Sequence, residues 1–211
     1  MSRPRPVHHL RGAACGLSLG LCGAACVAQP SFRILTGMPN GTGGGVAGGV
    51  SADGTTVVGS AGTLEPGTWR AFRWRLDTGV VENLGIIGPG RSNATAVSAD
   101  GSAITGYCES NPMGSTVVRA FRWTAATGMV ELPDLPGGGV AFAPDAISAD
   151  GSVIAGQSSG ANENAAVRWT AQTGTVSLGA LPGVPFVSSH AYGISADGLT
   201  IVGERPIPLE E

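Results

Sequence analysis

The chain has 211 residues, 42% of them hydrophobic and 13% charged, with 35 glycines, 14 prolines and a net charge of −3. Acids outnumber arginines by 15 to 12 and lysine is absent, so the chain lacks the basic footprint of a nucleic-acid binder and the charge that draws a protein onto anionic lipid. So much glycine argues against long helices.

In chain order, the first 28 residues read as a removable leader. Arg3, Arg5 and Arg11 make a basic start without acids, residues 12–28 are uncharged and rich in Ala, Leu, Gly and Cys, and the stretch closes on "CVA" before Gln29-Pro30. That is the layout of a secretory signal peptide. Its 17 uncharged residues, 12 of them Gly, Ala or Cys, fall short of the ~20 strongly apolar residues of a membrane span. The expectation is a signal peptide over 1–28 and a β-repeat domain over 29–211. A retained anchor or lipidation at Cys26 are the alternatives. No later stretch is long and apolar enough to span. The domain is expected to be secreted, extracellular or periplasmic. It carries 9 arginines against 15 acids, a net −6. Its single cysteine, Cys108, excludes an internal disulfide and reads as a buried strand residue.

From residue 48 onward the chain repeats itself. "SADG" begins at 51, 98, 148 and 195, the tryptophan of "RW" recurs at 74, 123 and 169, and "TG" follows at 78, 127 and 173. A fixed period in this range marks stacked or radial repeats. Asp53-Gly54 is a favoured centre for a two-residue type I′ hairpin turn. Folding there sets Ala52 opposite Thr55, Ser51 opposite Thr56 and Val50 opposite Val57. The same construction pairs Val97 with Ile104, Ile147 with Ile154, and Ile194 with Ile201. Phe72-Arg73-Trp74 alternates as a strand does, and a loop closing at the "TG" glycine would set Trp74 opposite Val81, Trp123 opposite Val130 and Trp169 opposite Val176. It would also pair Arg73 with Glu82 and Arg122 with Glu131, and set Arg168 opposite Ser177.

Each unit then holds four short antiparallel strands in about 47 residues, the size of a propeller blade. The expected fold is all-β and β-propeller-like, with three full blades plus pieces, incomplete or barely closed. A β-solenoid is the rival, and two tight hairpins per unit favour blades. Residues 32–35 echo the last strand of a unit, whereas the two prolines after Arg205 make a poor third strand for a fourth blade. Open sheet edges make self-association a candidate property.

The segments Ala71-Phe72-Arg73-Trp74, residues 120–124 and the four SADG-Val/Ile-Gly hairpins resemble the bacterial HAF-type extracellular repeat family over nearly all of 31–204. Arg70-Ala71-Phe72, Arg119-Ala120-Phe121 and Ala165-Ala166-Val167 stand where that family has His-Ala-Phe. The resemblance implies secretion and a repeat architecture, with no activity attached. Members are typically longer, in keeping with the incomplete blade count.

Catalytic signatures are sparse. After the leader there is one histidine, His190, with no ligand-spaced neighbours for a metal and no obvious triad partners. "GLSLG" at 16–20 lies in the leader. The Gly-rich 43–48 leads into a strand, without the helix N-terminus that binds pyrophosphate. Asp53, Asp100, Asp150 and Asp197 lack a calcium-loop pattern and read as turn residues. Arg73, Arg122 and Arg168 read as cross-strand partners stacking on Trp. Asn40 and Asn93 begin glycosylation sequons, relevant only to a eukaryotic secretory route. The reading assigns no catalytic, cofactor-binding or metal residue and no cofactor. It expects a non-enzymatic binding or surface scaffold, with a glycan or a cell-surface protein as partner. The ligand is expected on the variable loops 60–69, 108–118, 136–144 and 183–190. The alternative is a propeller-type lyase or hydrolase on extracellular polysaccharide, for which His190, Glu65, Glu109 and Asp145 are the candidates. A purely structural surface repeat is a third reading.

Overall fold

In the computed structural model the described residues are 44–65, 67–110, 116–138, 142–160, 164–179 and 188–205. Two units divide the chain, 1–34 and 35–211, and every described residue belongs to the second. The leader and residues 32–35 therefore lie outside the described residues, as do most of loop 183–190 and the Pro-containing end.

Fourteen strands form, and no helix occurs among the described residues. Sheet 1 is a meander of β1 (Gly45–Val50), β2 (Thr56–Gly62), β3 (Trp69–Arg75) and β4 (Val81–Gly85). Sheet 2 repeats it with β5 (Arg91–Val97), β6 (Ala103–Ser110), β7 (Val117–Thr124) and β8 (Gly128–Glu131). Sheet 3 consists of β9 (Phe142–Ile147), β10 (Val153–Ser159), β11 (Asn164–Thr170) and β12 (Gly174–Ser177). Sheet 4 has two described strands, β13 (His190–Ile194) and β14 (Ile201–Glu204). All pairings are antiparallel, and no ladder joins sheet 4 to sheet 1 among the described residues. The expected three full sheets plus pieces are present. Strands run further into the connections than expected, so loop 60–69 shrinks to 63–68 and 108–118 to 111–116.

The SADG hairpins keep the expected register: Val50 pairs with Val57, Val97 with Ile104, Ile147 with Ile154 and Ile194 with Ile201. The turn itself differs. The Gly54 N–H donates to the Ser51 carbonyl at 2.9 Å, so the central pair is Ala52-Asp53 and Gly54 follows at φ 70°. The Ser51 N–H donates to the Thr56 carbonyl, which leaves Ala52 and Thr55 inside a four-residue loop instead of facing each other across strands. Side chains select this form over the two-residue turn. The Ser51 hydroxyl accepts from the Thr56 N–H at 2.9 Å and donates to Asp53 at 2.6 Å, and the Asp53 carboxylate accepts from the Thr55 N–H. Ser98 with Asp100, Ser148 with Asp150 and Ser195 with Asp197 repeat the same set. Such Asx-type bonds give Asp its turn preference.

These bonds act chiefly through the serine hydroxyl to hold Asp100 and Asp150 at a pKa of about 2, below the ordinary 3.8, and lower Asp53 and Asp197 as well. A carboxylate with a depressed folded-state pKa stabilises the fold above its free value, and loses that effect as pH falls through the folded one. Melting temperature is expected to hold above pH 3.8 and decline toward pH 2. The double substitution Asp100→Asn, Asp150→Asn should flatten that decline in a thermal-shift series. An unchanged slope would show that these carboxylates do not govern it.

The turns also stack. The Ala52 N–H donates to the Ala99 carbonyl at 3.0 Å, Ala99 to Ala149 at 2.9 Å and Ala149 to Ala196 at 2.9 Å. This backbone spine runs from sheet to sheet. Gly101, Gly151 and Gly198 press on the sheet before: a Cβ there would lie 2.6, 2.4 and 2.7 Å from Thr56, Ala103 and Val153. The phrase recurs because serine and aspartate close the loop, alanine lets neighbouring turns bond, and glycine fits both a positive φ and a close approach.

The second hairpin matches expectation only in sheet 1, where Trp74 pairs with Val81 and Arg73 with Glu82. In sheets 2 and 3 the pairing is one residue shorter: Trp123 faces Met129, Arg122 faces Val130, Trp169 faces Thr175 and Arg168 faces Val176. The cause is Thr124 and Thr170. Their hydroxyls accept the N–H groups of Thr127 and Thr173 at 3.2 Å, closing a tighter loop. Arg75 occupies that place in sheet 1 and has no hydroxyl. A one-residue slip exchanges faces. Glu131 therefore pairs with Arg119 at 3.4 Å, and the Arg122 guanidinium donates forward to the Gly151 carbonyl.

The core is a series of sheet-to-sheet layers. Val58, Ala71 and Leu84 of sheet 1 pack on Ala94, Ile104, Cys108, Phe121 and Trp123 of sheet 2. Ala120 and Leu132 of sheet 2 pack with Phe142, Ile154 and Val167 of sheet 3. Arg73, ion-paired to Glu82 at 2.6 Å, lies 4.6 Å over the Trp123 ring of the next sheet. Cys108 is buried there as expected, and burial raises its thiol pKa.

Candidate functional site

Each first strand carries one extra residue. The ladders skip Gly48, Thr95, Asp145 and Tyr192, opposite Gly59, Gly106, Gly156 and Gly203. These are β-bulges, which turn a side chain out of the pleat. At sheet 2 the bulge hydroxyl of Thr95 donates to the Pro144 carbonyl of the next sheet at 2.7 Å. At sheet 3 the Asp145 carboxylate meets the Nε2 of His190 on sheet 4 at 2.5 Å. An ionised carboxylate only accepts, so Nε2 carries the proton in this pair and a neutral ring keeps Nδ1 as an acceptor. The bulge ring of Tyr192 stacks on His190, centroids 4.5 Å apart, and its hydroxyl donates to Glu204 at 2.5 Å, a bond that raises the tyrosine pKa.

A cleft of about 340 Å³ opens beside this row, lined by Leu178, Ser189, His190, Val202, Glu204 and Arg205. Its floor is tied down: Gln157 donates to Ser188 and to the Ser189 carbonyl, and the Ser189 hydroxyl accepts the Ala166 N–H. Asp145–His190 has the form of an oriented imidazole, but a triad also needs a hydroxyl or thiol bonded to the ring. Among the described residues no three His, Cys, Asp or Glu side chains group to hold a metal.

A second cleft of about 230 Å³ lies between sheets 1 and 2, lined by Ser60, Trp69, Arg91, Asn93, Tyr107 and Glu109. Trp69 is half-buried. The Asn93 amide donates to the Tyr107 hydroxyl at 3.3 Å, and Arg91 stands 3.9 Å from Glu109. Asn93, a strand residue engaged here, is poorly placed as a glycosylation acceptor.

Of the four enzyme candidates, the fold joins His190 to Asp145 and separates the others. Glu109 lines the second cleft, and Glu65 sits in the β2–β3 connection, where its carbonyl accepts from Thr68. Tyr192 and Glu204 were not singled out from the sequence. The signal for Tyr192 was its place three residues before Ser195, the same place Asp145 holds before Ser148.

No family model matches the chain. No curated protein matches it. Among solved structures, one assigned as TolB from Agrobacterium tumefaciens is 17% identical with a TM-score of 0.51, over 82% of this chain and 61% of that one. The fold is β-propeller-like. TolB from Acinetobacter baumannii is 18% identical with a TM-score of 0.47, over 80% of this chain and 44% of that one. The chain thus spans less than two thirds of either structure. At this identity the likeness bears on the fold alone.

Proposed function

We propose that the chain is a secreted or periplasmic, non-enzymatic binding scaffold of the HAF-type extracellular repeat kind, taking a saccharide in the Trp69 cleft. The observation that carries this is the lining itself: a half-buried indole beside a tyrosine hydroxyl, a planar amide and an Arg–Glu pair. An indole face suits the C–H face of a sugar ring, and the amide, carboxylate and guanidinium suit its hydroxyls. The volume, below that of typical drug-sized sites, suits one sugar ring of a longer chain. The basic, acid-free leader supports export.

The test is a glycan array followed by titration calorimetry on the best binder. Trp69→Ala is expected to weaken binding about tenfold or more, roughly 1.4 kcal/mol. No binding across the array, or binding untouched by that substitution, would overturn the reading. The oriented Asp145–His190 pair favours one second reading, turnover of an extracellular polysaccharide. Activity on a polysaccharide panel that His190→Ala abolishes would establish it.

A further inference from the structure

We propose that the sugar ring taken in the Trp69 cleft is a hexuronic acid, its carboxylate held on the terminal nitrogens of Arg91. The proposal rests on the reading of this cleft as a saccharide site and names the sugar class it takes.

Two cross-strand pairs set the chemistry of the cleft. Arg91 pairs with Glu109 across β5 and β6, and Asn93 pairs with Tyr107 two residues further along. Arg91 approaches Glu109 only through Nε, at 3.9 Å, which is too far for a hydrogen bond. The Arg91 side chain is 62% exposed and that of Glu109 33%. The two terminal nitrogens of Arg91 hold no partner among the described residues. A guanidinium presents such donors as a planar fork that matches the two oxygens of a carboxylate. Tyr107 adds a further donor. Its hydroxyl accepts from the Asn93 amide at 3.3 Å, so its own proton is left for a ligand oxygen.

The backbone that carries Arg91 is fixed on sheet 1 from both sides. On one side the Arg70 guanidinium donates to the Trp69 carbonyl at 2.9 Å and to the Gly90 carbonyl at 3.0 Å. It thereby joins the residue that bears the indole to the one just before Arg91. On the other side the Ser92 hydroxyl accepts from the Ala71 N–H at 2.9 Å and donates to the Gly85 carbonyl at 2.6 Å. Trp69 and Arg91 therefore keep a fixed backbone separation, which lowers the ordering cost of binding.

This lining is not a by-product of the repeat. At the junction of sheets 2 and 3, Val118, Ala143, Gln157 and Ser159 hold the places of Trp69, Asn93, Tyr107 and Glu109. Neither an indole nor a charge stands at those four places. Beyond the leader, 9 arginines face 15 acids, a net −6, which repels a long polyanion at range. Recognition by Arg91 acts at contact, inside the ~8–10 Å over which salt screens exposed charges, and so suits short uronate units.

The test is titration calorimetry with uronic di- and trisaccharides, and with the same oligomers after each carboxylate is reduced to a primary alcohol. Reduction keeps ring and linkage and removes the charge. The parent is expected to bind the best uronate about tenfold tighter than its reduced form, and Arg91→Gln to bring that ratio close to one. A melting curve matching the parent confirms that the variant folds, and the parent's own ratio needs no variant. A ratio near one in the parent, or a preference that Arg91→Gln keeps, would overturn the proposal. The saccharide reading still stands in either case if binding of the reduced oligomers depends on Trp69. Binding of neither form would overturn both.

Discussion

Gly156→Ala and Gly106→Ala are expected to be among the most damaging single substitutions in the chain, each costing about 3 kcal/mol. A Cβ at Gly106 would lie 2.0 Å from the Asn93 carbonyl oxygen, and one at Gly156 would lie 2.2 Å from that of Ala143. Both oxygens belong to the first strand of the same sheet, at the bulge. Neither side can yield cheaply, because the colliding atoms are backbone and the bulge is held by ladder bonds on both sides. The positive-φ glycines of the outer loops make the contrast. Gly79 has open space around it and φ 72°, so Gly79→Ala meets only the left-handed backbone penalty, about 1 kcal/mol. Urea denaturation of the three variants checks the order. For a domain of this size 3 kcal/mol corresponds to a fall of roughly 6–12 °C in melting temperature. A Gly106→Ala variant as stable as Gly79→Ala would show that the bulge does not require glycine.

Phe121→Ala is expected to cost about 3–5 kcal/mol. Phe121 is fully buried between sheets 1 and 2, against Val58, Ala71, Ala94 and Ile104. Removing its ring leaves a cavity where one whole sheet meets another. Sheets in a repeat array draw their stability from nearest-neighbour junctions. The loss should therefore broaden the unfolding transition as well as lower it, because sheet 1 becomes weakly coupled to sheets 2 and 3. Calorimetry would show a van't Hoff enthalpy falling below the calorimetric one. A sharp transition near the parent midpoint would mean that this junction is not where the array is held together.

Some of this was legible from residues alone and some was not. The pairing of Val97 with Ile104, and its three counterparts, follows from where Asp-Gly sits between two β-branched residues. The loop around it, however, is chosen by the hydroxyl of Ser98, which competes for the Ala103 N–H. The same competition moved the second hairpin by one residue wherever threonine replaced Arg75. Single hydroxyls of this kind alter register without altering the hydrophobic pattern, so periodicity does not detect them. The closing glycines of the four phrases had no reading until the bulges gave them one.

The sequence by itself determined the unit: a short meander, its length, its alternation and its number of copies, because strand pattern and turn chemistry are local and act within some ten residues. Tertiary structure alone decided what meets across units. Asp145 and His190 stand 45 residues apart, the Arg73 guanidinium lies over a tryptophan of another sheet, and four alanines align in one spine. Each of these depends on how one sheet is rotated and seated on the next, a geometry set by packing volume between faces that no single repeat contains.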